Sequence, residues 1–208
     1  MERTISGMMG KGSVNHNTRA FSAKNVDKER SRDNVDFCHE DIKAVYHELF
    51  DEALERYNAK QKRSDRKIEN YYEKIRQGKQ EKLFYEVIFQ IGNRDDMNVR
   101  SEEGQLAKQI LSDFMADFQS RNPNLHVFSA HLHMDEETPH IHIDFVPVIT
   151  GSKRGLDTRV SLKGALAEQG FEGGTRGATE WNQWIESEKK ELAAVMERYG
   201  PMSRFSTS

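Results

Sequence analysis

One cysteine, Cys38, stands in a chain of 208 residues, so no internal disulfide framework can form and a closed thiolate metal site is not expected. A lone thiol suits a reducing cytoplasm, the location expected here. No apolar run approaches the roughly 18 residues of a membrane span, and the first residues, MERTISGMMGKGS, lack the apolar core of a signal peptide. No internal repeat is visible. Excess positive charge is missing too, since the net charge is -3. That weighs mildly against nucleic acid until the distribution is considered.

What is present is electrically segregated. Residues 60–82 hold nine Lys/Arg against four acids, and residues 40–58 hold six acids against two bases. The basic stretch, with Lys60, Lys62, Arg63, Arg66, Lys67 and Lys74, is a candidate DNA surface, and Arg32 in the early KERSRDN segment is another. A solvated helix face is the plainer alternative for such a run.

With 36% hydrophobic and 31% charged residues, the composition is that of one globular domain. Residues 1–35 are polar and, taken alone, read as a flexible arm. Apolar residues at three- and four-residue spacing predict helices over 40–58, 103–121 and 181–199, with a short one near 161–168. The basic stretch continues the helical spacing through Ile68, Tyr71, Tyr72 and Ile75. β-branched and aromatic residues predict strands over 83–91, 125–133 and 140–148. Pro147 suggests a strand end or an edge. The expected class is α+β: an antiparallel sheet of about five strands with helices packed on one face. The catalytic domain is expected over residues 1–199, followed by a frayed tail at 200–208.

Five of the eight histidines lie between 126 and 142. Side chains two apart on a strand share a face. His140 and His142 therefore point together, with Asp144 beside them, while Ile141, Ile143 and Phe145 turn to the core. His133 can approach across the hairpin, and Glu136 sits on the intervening turn. Three imidazoles so arranged make a divalent-metal site with open positions for substrate oxygens. Their nitrogens must be neutral, so with ordinary pKa values binding weakens below about pH 6. Asp144 is the candidate to orient one ring. The alternative is a set of ordinary polar-face histidines.

The segment His133-Met-Asp-Glu136-Glu-Thr-Pro-His140-Ile-His142, continuing to Pro147, resembles the metal motif of the MobV (Mob/Pre) plasmid mobilisation and recombination relaxases. That family belongs to the HUH endonucleases. His16-Asn17-Thr18-Arg19 is similar to its first motif, H-N-x-R. Weaker likenesses lie at Ser31-Arg32 with Asn34, at Tyr72-Glu73-Lys74, at Gly170-Phe171 and at Arg176-Gly177. The resemblance implies a five-stranded HUH-type sheet and a nick in one strand at a transfer origin. It also implies a covalent 5′-phosphate link to a histidine, here His16. The DNA would be single-stranded or a hairpin, and the cofactor Mn²⁺ or Mg²⁺. Relatives carry a further C-terminal region for oligomerisation or partner contacts. A chain ending soon after Gly200-Pro201 is expected to be the catalytic part.

In this reading Asn17 orients the His16 ring or contacts DNA. Arg19 grips phosphate through its fork, and Glu136 completes the metal shell or moves a proton. Tyrosine at Tyr71-Tyr72 is the runner-up nucleophile, as in replication initiators of the same superfamily. Tyr46, Tyr57 and the Trp181/Trp184 pair read as core. A non-catalytic DNA-binding module with a structural metal is the competing class, and a plain metallohydrolase a poorer one.

Overall fold

The computed structural model describes residues 4–21 and 24–200, so residues 201–208 of the expected tail lie outside the described part. Ten-residue β5 (His140–Ile149) is the centre of the sheet, flanked by β3 (Tyr85–Ile91) and β4 (Leu125–His133). Beyond these lie β1 (Ile5–Met9) and β2 (Val35–His39), giving the antiparallel order β1-β3-β5-β4-β2. A two-residue β6 (Arg159–Val160) adds to β5 as a sixth strand. The arm expected at the N-terminus is instead built into the fold. Strand β1 within it, and β2 beginning at its last residue, pair with β3 and β4 as the sheet's outer members, where neighbours supply the hydrogen bonds that local propensity does not. Pro147 lies within β5, opposite Leu125 at the start of β4, and its carbonyl accepts from Ser161 N–H.

Helices α4 (Glu102–Ala116), α6 (Leu162–Glu168) and α7 (Glu180–Arg198) cover one face. There Ile141, Ile143 and Phe145 are fully buried with Val87, Phe89, Phe114 and Trp184. Phe145→Ala at this depth would cost about 3–5 kcal/mol. Trp184 is 0% exposed and its indole N–H donates to Asn122 Oδ1 at 2.7 Å, so it is core, and Trp181 packs half-buried against the same cluster. The helix expected over 103–121 breaks at Asp117 into α4 and a short α5 (Phe118–Arg121).

A second cluster lies on the opposite side of the sheet, so helices cover more than the one expected face. Helix α2 (Ile42–Ala59), capped by the Asp41 carboxylate, packs Tyr46 and Phe50 against Phe128 and Val146. The basic stretch is helical only over α3 (Tyr71–Gln77), after a single 3-10 turn at Ser64–Arg66. Asn70 caps α3 by accepting from Glu73 N–H, and Gly78 closes it.

One irregularity decides where the histidines point. Val127 pairs with Phe145, but Ser129 pairs with Asp144, so Phe128 is an extra residue in β4. A bulge of this kind switches the strand's alternation. Odd-numbered residues face the core at Val127 and the opposite side from Ser129 onward. His131 thereby pairs with His142, and His133 with His140, on the face away from α4 and α7.

Candidate active site

His133, His140 and His142 form a ring cluster, with centroids 5.3 Å (133–140), 4.7 Å (133–142) and 5.0 Å (140–142) apart. Each ring commits one nitrogen to an obligate acceptor. His133 Nε2 donates to the Asn17 carbonyl at 2.8 Å, and His140 Nδ1 to the Thr138 carbonyl at 2.8 Å. His142 Nδ1 donates to Glu86 Oε1 at 2.5 Å. An acceptor at one nitrogen fixes the proton there and leaves a lone pair on the other. The remaining nitrogens of His133 and His142 are buried without any hydrogen-bond partner. Orphaned acceptors at this depth are costly unless something binds them, and a divalent cation fits this donor set.

Burial is also the main reason that the His133 pKa falls, to about 2, with the neighbouring His142 adding to the effect. His140 is lowered for the same two reasons. Both rings are neutral at pH 7, the form a metal requires. The pH at which protons displace a cation therefore lies below the value of about 6 set by an unperturbed imidazole.

His16 stands on the four-residue α1 (Val14–Asn17), close to this cluster. Its ring centroid is 5.9 Å from both His133 and His142. One ligand atom from each of His16, His133 and His142 lies within 4.8 Å of the others, and the same holds for His133, Glu136 and His140. Burial and the Arg19 cation lower the His16 pKa. Arg19 Nη1 lies 3.4 Å from His16 Nε2, and Glu136 Oε1 3.6 Å from the same atom.

Arg19 itself is not a free phosphate fork. Its Nε donates to Asp135 Oδ2 at 2.9 Å, and Nη2 to Asp135 Oδ1 and to Glu136 Oε1. Asp135 is fully buried. Burial alone would raise its pKa, but hydrogen bonds from Arg19, Ser31 and Asn34 hold the carboxyl well below the usual range. Two carboxylates thus occupy Nε and Nη2 of Arg19. Its φ of +58° is the one left-handed non-glycine conformation among the described residues.

Asn17 is likewise corrected. It is 2% exposed. Its side-chain amide donates to Glu86 Oε1 at 2.8 Å and to Asp144 Oδ2 at 3.0 Å, instead of orienting His16. The carboxylate that orients a histidine is Glu86 of β3, not Asp144. Glu86 Oε2 also accepts from Gly12 N–H at 2.7 Å, tying the loop before His16 to the metal-side ring. A Cβ on Gly10 would sit 2.0 Å from that carboxylate, so only glycine allows the approach. Burial raises Asp144 to about 7, with the Glu86 charge adding to the effect. Glu86 stays low, because hydrogen bonds from His142, Gly12 and Asn17 outweigh its burial. The sequence signal for Glu86 was its place in 83–91: with Gln90 it is polar on the strand face that pairs with His140 and Asp144.

The tyrosines are elsewhere. Tyr71 is buried in the α2–α3 cluster and its hydroxyl accepts from Val160 N–H at 3.2 Å, while Tyr72 meets Tyr46 edge-on at 5.3 Å. Of the basic residues, Arg66, Lys67 and Lys74 line one groove, whereas Arg63 is paired with Asp65. Arg32, Lys60 and Lys62 are exposed and line none of the described cavities near it.

An antiparallel α+β sheet that gathers histidines from two strands and a short helix around open imidazole nitrogens defines a histidine-centred sheet enzyme. The chain belongs to the Mob_Pre family, described as plasmid recombination enzyme, whose pattern matches residues 9–169. No curated protein matches the sequence. Among solved structures the chain is similar to the MobM relaxase domain (MOBV; Mob_Pre) bound to plasmid pMV158 oriT DNA of 22 nt, Mn-bound, at pH 4.6. Identity is 20%, covering 94% of this chain and 87% of that one, with a TM-score of 0.51. The Mn-bound complex of the same domain at pH 5.5 gives 20% identity, 94% and 86% coverage and a TM-score of 0.48.

Proposed function

We propose that this chain is a relaxase that nicks one DNA strand at the transfer origin of a mobile element and keeps the 5′ phosphate on His16. One observation carries the reading: three neighbouring imidazoles, with centroids 4.7 to 5.3 Å apart, are each fixed through one nitrogen beside the His16 ring. His133, His140 and His142 would hold a divalent ion, Mn²⁺ or Mg²⁺; the ligand atoms within 4.8 Å of one another fall into two sets that share His133, one adding His16 and His142 and the other Glu136 and His140. When bound, such an ion neutralises charge on the non-bridging oxygens of the scissile phosphate.

The chain's own residues then divide the remaining work. Neutral His16 attacks phosphorus through a ring nitrogen. The N–P bond forms as the bond to the 3′ oxygen breaks. The ring gives up its N–H proton to solvent and the departing 3′ oxygen gains one, leaving a phosphoramidate. This link is labile enough for reversal onto a second strand end. Arg19 and Glu136 flank the ring, and burial together with the Arg19 cation favours its neutral form.

Labelled origin oligonucleotide and a nicking gel test the reading. Wild type should cleave with Mn²⁺ and not with chelator, and His140→Ala should not cleave. Binding without cleavage under any divalent ion would favour the non-catalytic alternative.

A further inference from the structure

A groove runs between α3 and residues 154–160. It has a volume of about 830 Å³, a floor that includes Tyr57, Ile68 and Leu156, and walls carrying Arg66, Lys67, Lys74, Lys79, Arg154 and Arg159. These six cations come from two segments far apart in sequence. None of them forms an ion pair with a carboxylate among the described residues, although nearby arginines outside the lining do. Arg56 pairs with Asp157, Arg63 with Asp65, and Arg76 with Glu73. The two acids of the lining are already engaged: Asp65 by Arg63, and Glu81 by the Tyr85 hydroxyl and Leu162 N–H. The fold neutralises the surrounding charge and leaves the groove's own cations open.

The groove also leads somewhere. A smaller cavity of about 320 Å³ shares Ile75, Gly78 and Glu81 with it and continues past Lys82 to Lys11 and Gly12. Gly12 is the residue bonded to Glu86, one short loop before His16.

We propose that this groove carries the phosphate backbone of the DNA strand leading to His16, with Arg154 and Arg159 forming the wall opposite α3. The proposal rests on the reading of the chain as a DNA-cleaving enzyme, and it names the surface that reading needs. Cations without carboxylate partners, gathered on one groove, match a polyanion, because each phosphate neutralised releases a condensed counterion. The apolar floor suits sugars and base faces more than a small free anion. Among the basic residues legible in the sequence, Arg66, Lys67 and Lys74 then act, while Lys60 and Lys62 do not.

The test is the salt dependence of binding to a labelled origin oligonucleotide, followed by anisotropy. The triple variant Lys67→Ala, Lys74→Ala, Arg154→Ala should lower the slope of log K against log salt by about 2, since each single-strand phosphate contact contributes about 0.7. Affinity near physiological salt should fall by about tenfold or more. The pair Lys60→Ala, Lys62→Ala should leave the slope unchanged. Thermal melting checks that each variant is folded, and Arg154→Glu alone should show the same direction if the triple variant is unstable. A wild-type slope in the folded triple variant or in Arg154→Glu overturns the groove. So does a fall of equal size in the Lys60/Lys62 pair. Because only binding is read, a wild-type protein that binds but never nicks would sink the proposed function and leave the groove standing.

Discussion

Glu86 Oε1 accepts from Nδ1 of His142 across 2.5 Å, and this places a β3 carboxylate behind a β5 imidazole. The pairing fixes which His142 nitrogen stays open. Glu86→Ala is expected to weaken Mn²⁺ binding by about 10–100-fold, the usual effect of losing such a partner. Asp144→Asn should weaken it much less, because Asp144 meets Asn17 rather than a ring. Calorimetric titration with Mn²⁺ compares the two, and equal losses would contradict the pairing.

Arg19 neutralises a buried charge. Arg19→Ala strips Asp135, 0% exposed, of its cation while leaving Ser31 and Asn34 in place. Removing one partner of a buried pair costs about 3 kcal/mol or more. Denaturant unfolding should show that loss, and a change under about 1 kcal/mol, typical of an exposed pair, would mean that Asp135 needs no cation.

Much of this site is legible in the sequence because a strand repeats every two residues. His140, His142 and Asp144 share a face for that reason, as expected. The β4 side is different. Counting from Val127 by twos puts His133 in the core, and only the extra residue at Phe128 brings it to the site. A bulge is settled by pairing with a neighbour, and no local pattern announces it. β1 and β2 were hidden for the same reason, since ISGMM and VDFCH gain their strand character from β3 and β4. Charge spacing marked Lys67 and Lys74, but Arg154 joins them only through the fold. The motif H-N-x-R does not reveal that Asp135 and Glu136 face Arg19.

Acid should destabilise the metal-free protein. Folded-state pKa values of His16, His133 and His140 lie below the ordinary 6.5, so the unfolded chain takes up protons first as pH falls. Their contribution is present above about 6.5 and is lost toward the folded values, for His133 toward about 2. Asp144 acts in the opposite sense. Its raised value favours the folded state at low pH and disfavours it as pH rises through about 7. The three histidines outnumber it, so Tm in chelator should fall steadily from pH 7 to pH 4. A flat or rising Tm would show that the rings are not buried as described.

Tyr72 lies on the rim of the α2–α3 cluster and Tyr71 inside it. Tyr72→Phe should leave nicking within about twofold of wild type. Tyr71→Phe should lose only the bond to Val160, a cost of about 1 kcal/mol in stability. Abolished cleavage in either variant, with the protein folded, would move the nucleophile to tyrosine.

The central claim is that a histidine ring beside the metal cluster attacks phosphorus. Mass spectrometry of the proteolysed protein–oligonucleotide adduct tests it most directly, with peptides kept at neutral to alkaline pH to preserve a phosphoramidate. The nucleotide should be found on the peptide containing residue 16, on the imidazole, and His16→Ala should yield no adduct while still binding Mn²⁺. Nucleotide on a tyrosine peptide, or an unchanged adduct in His16→Ala, would contradict the account.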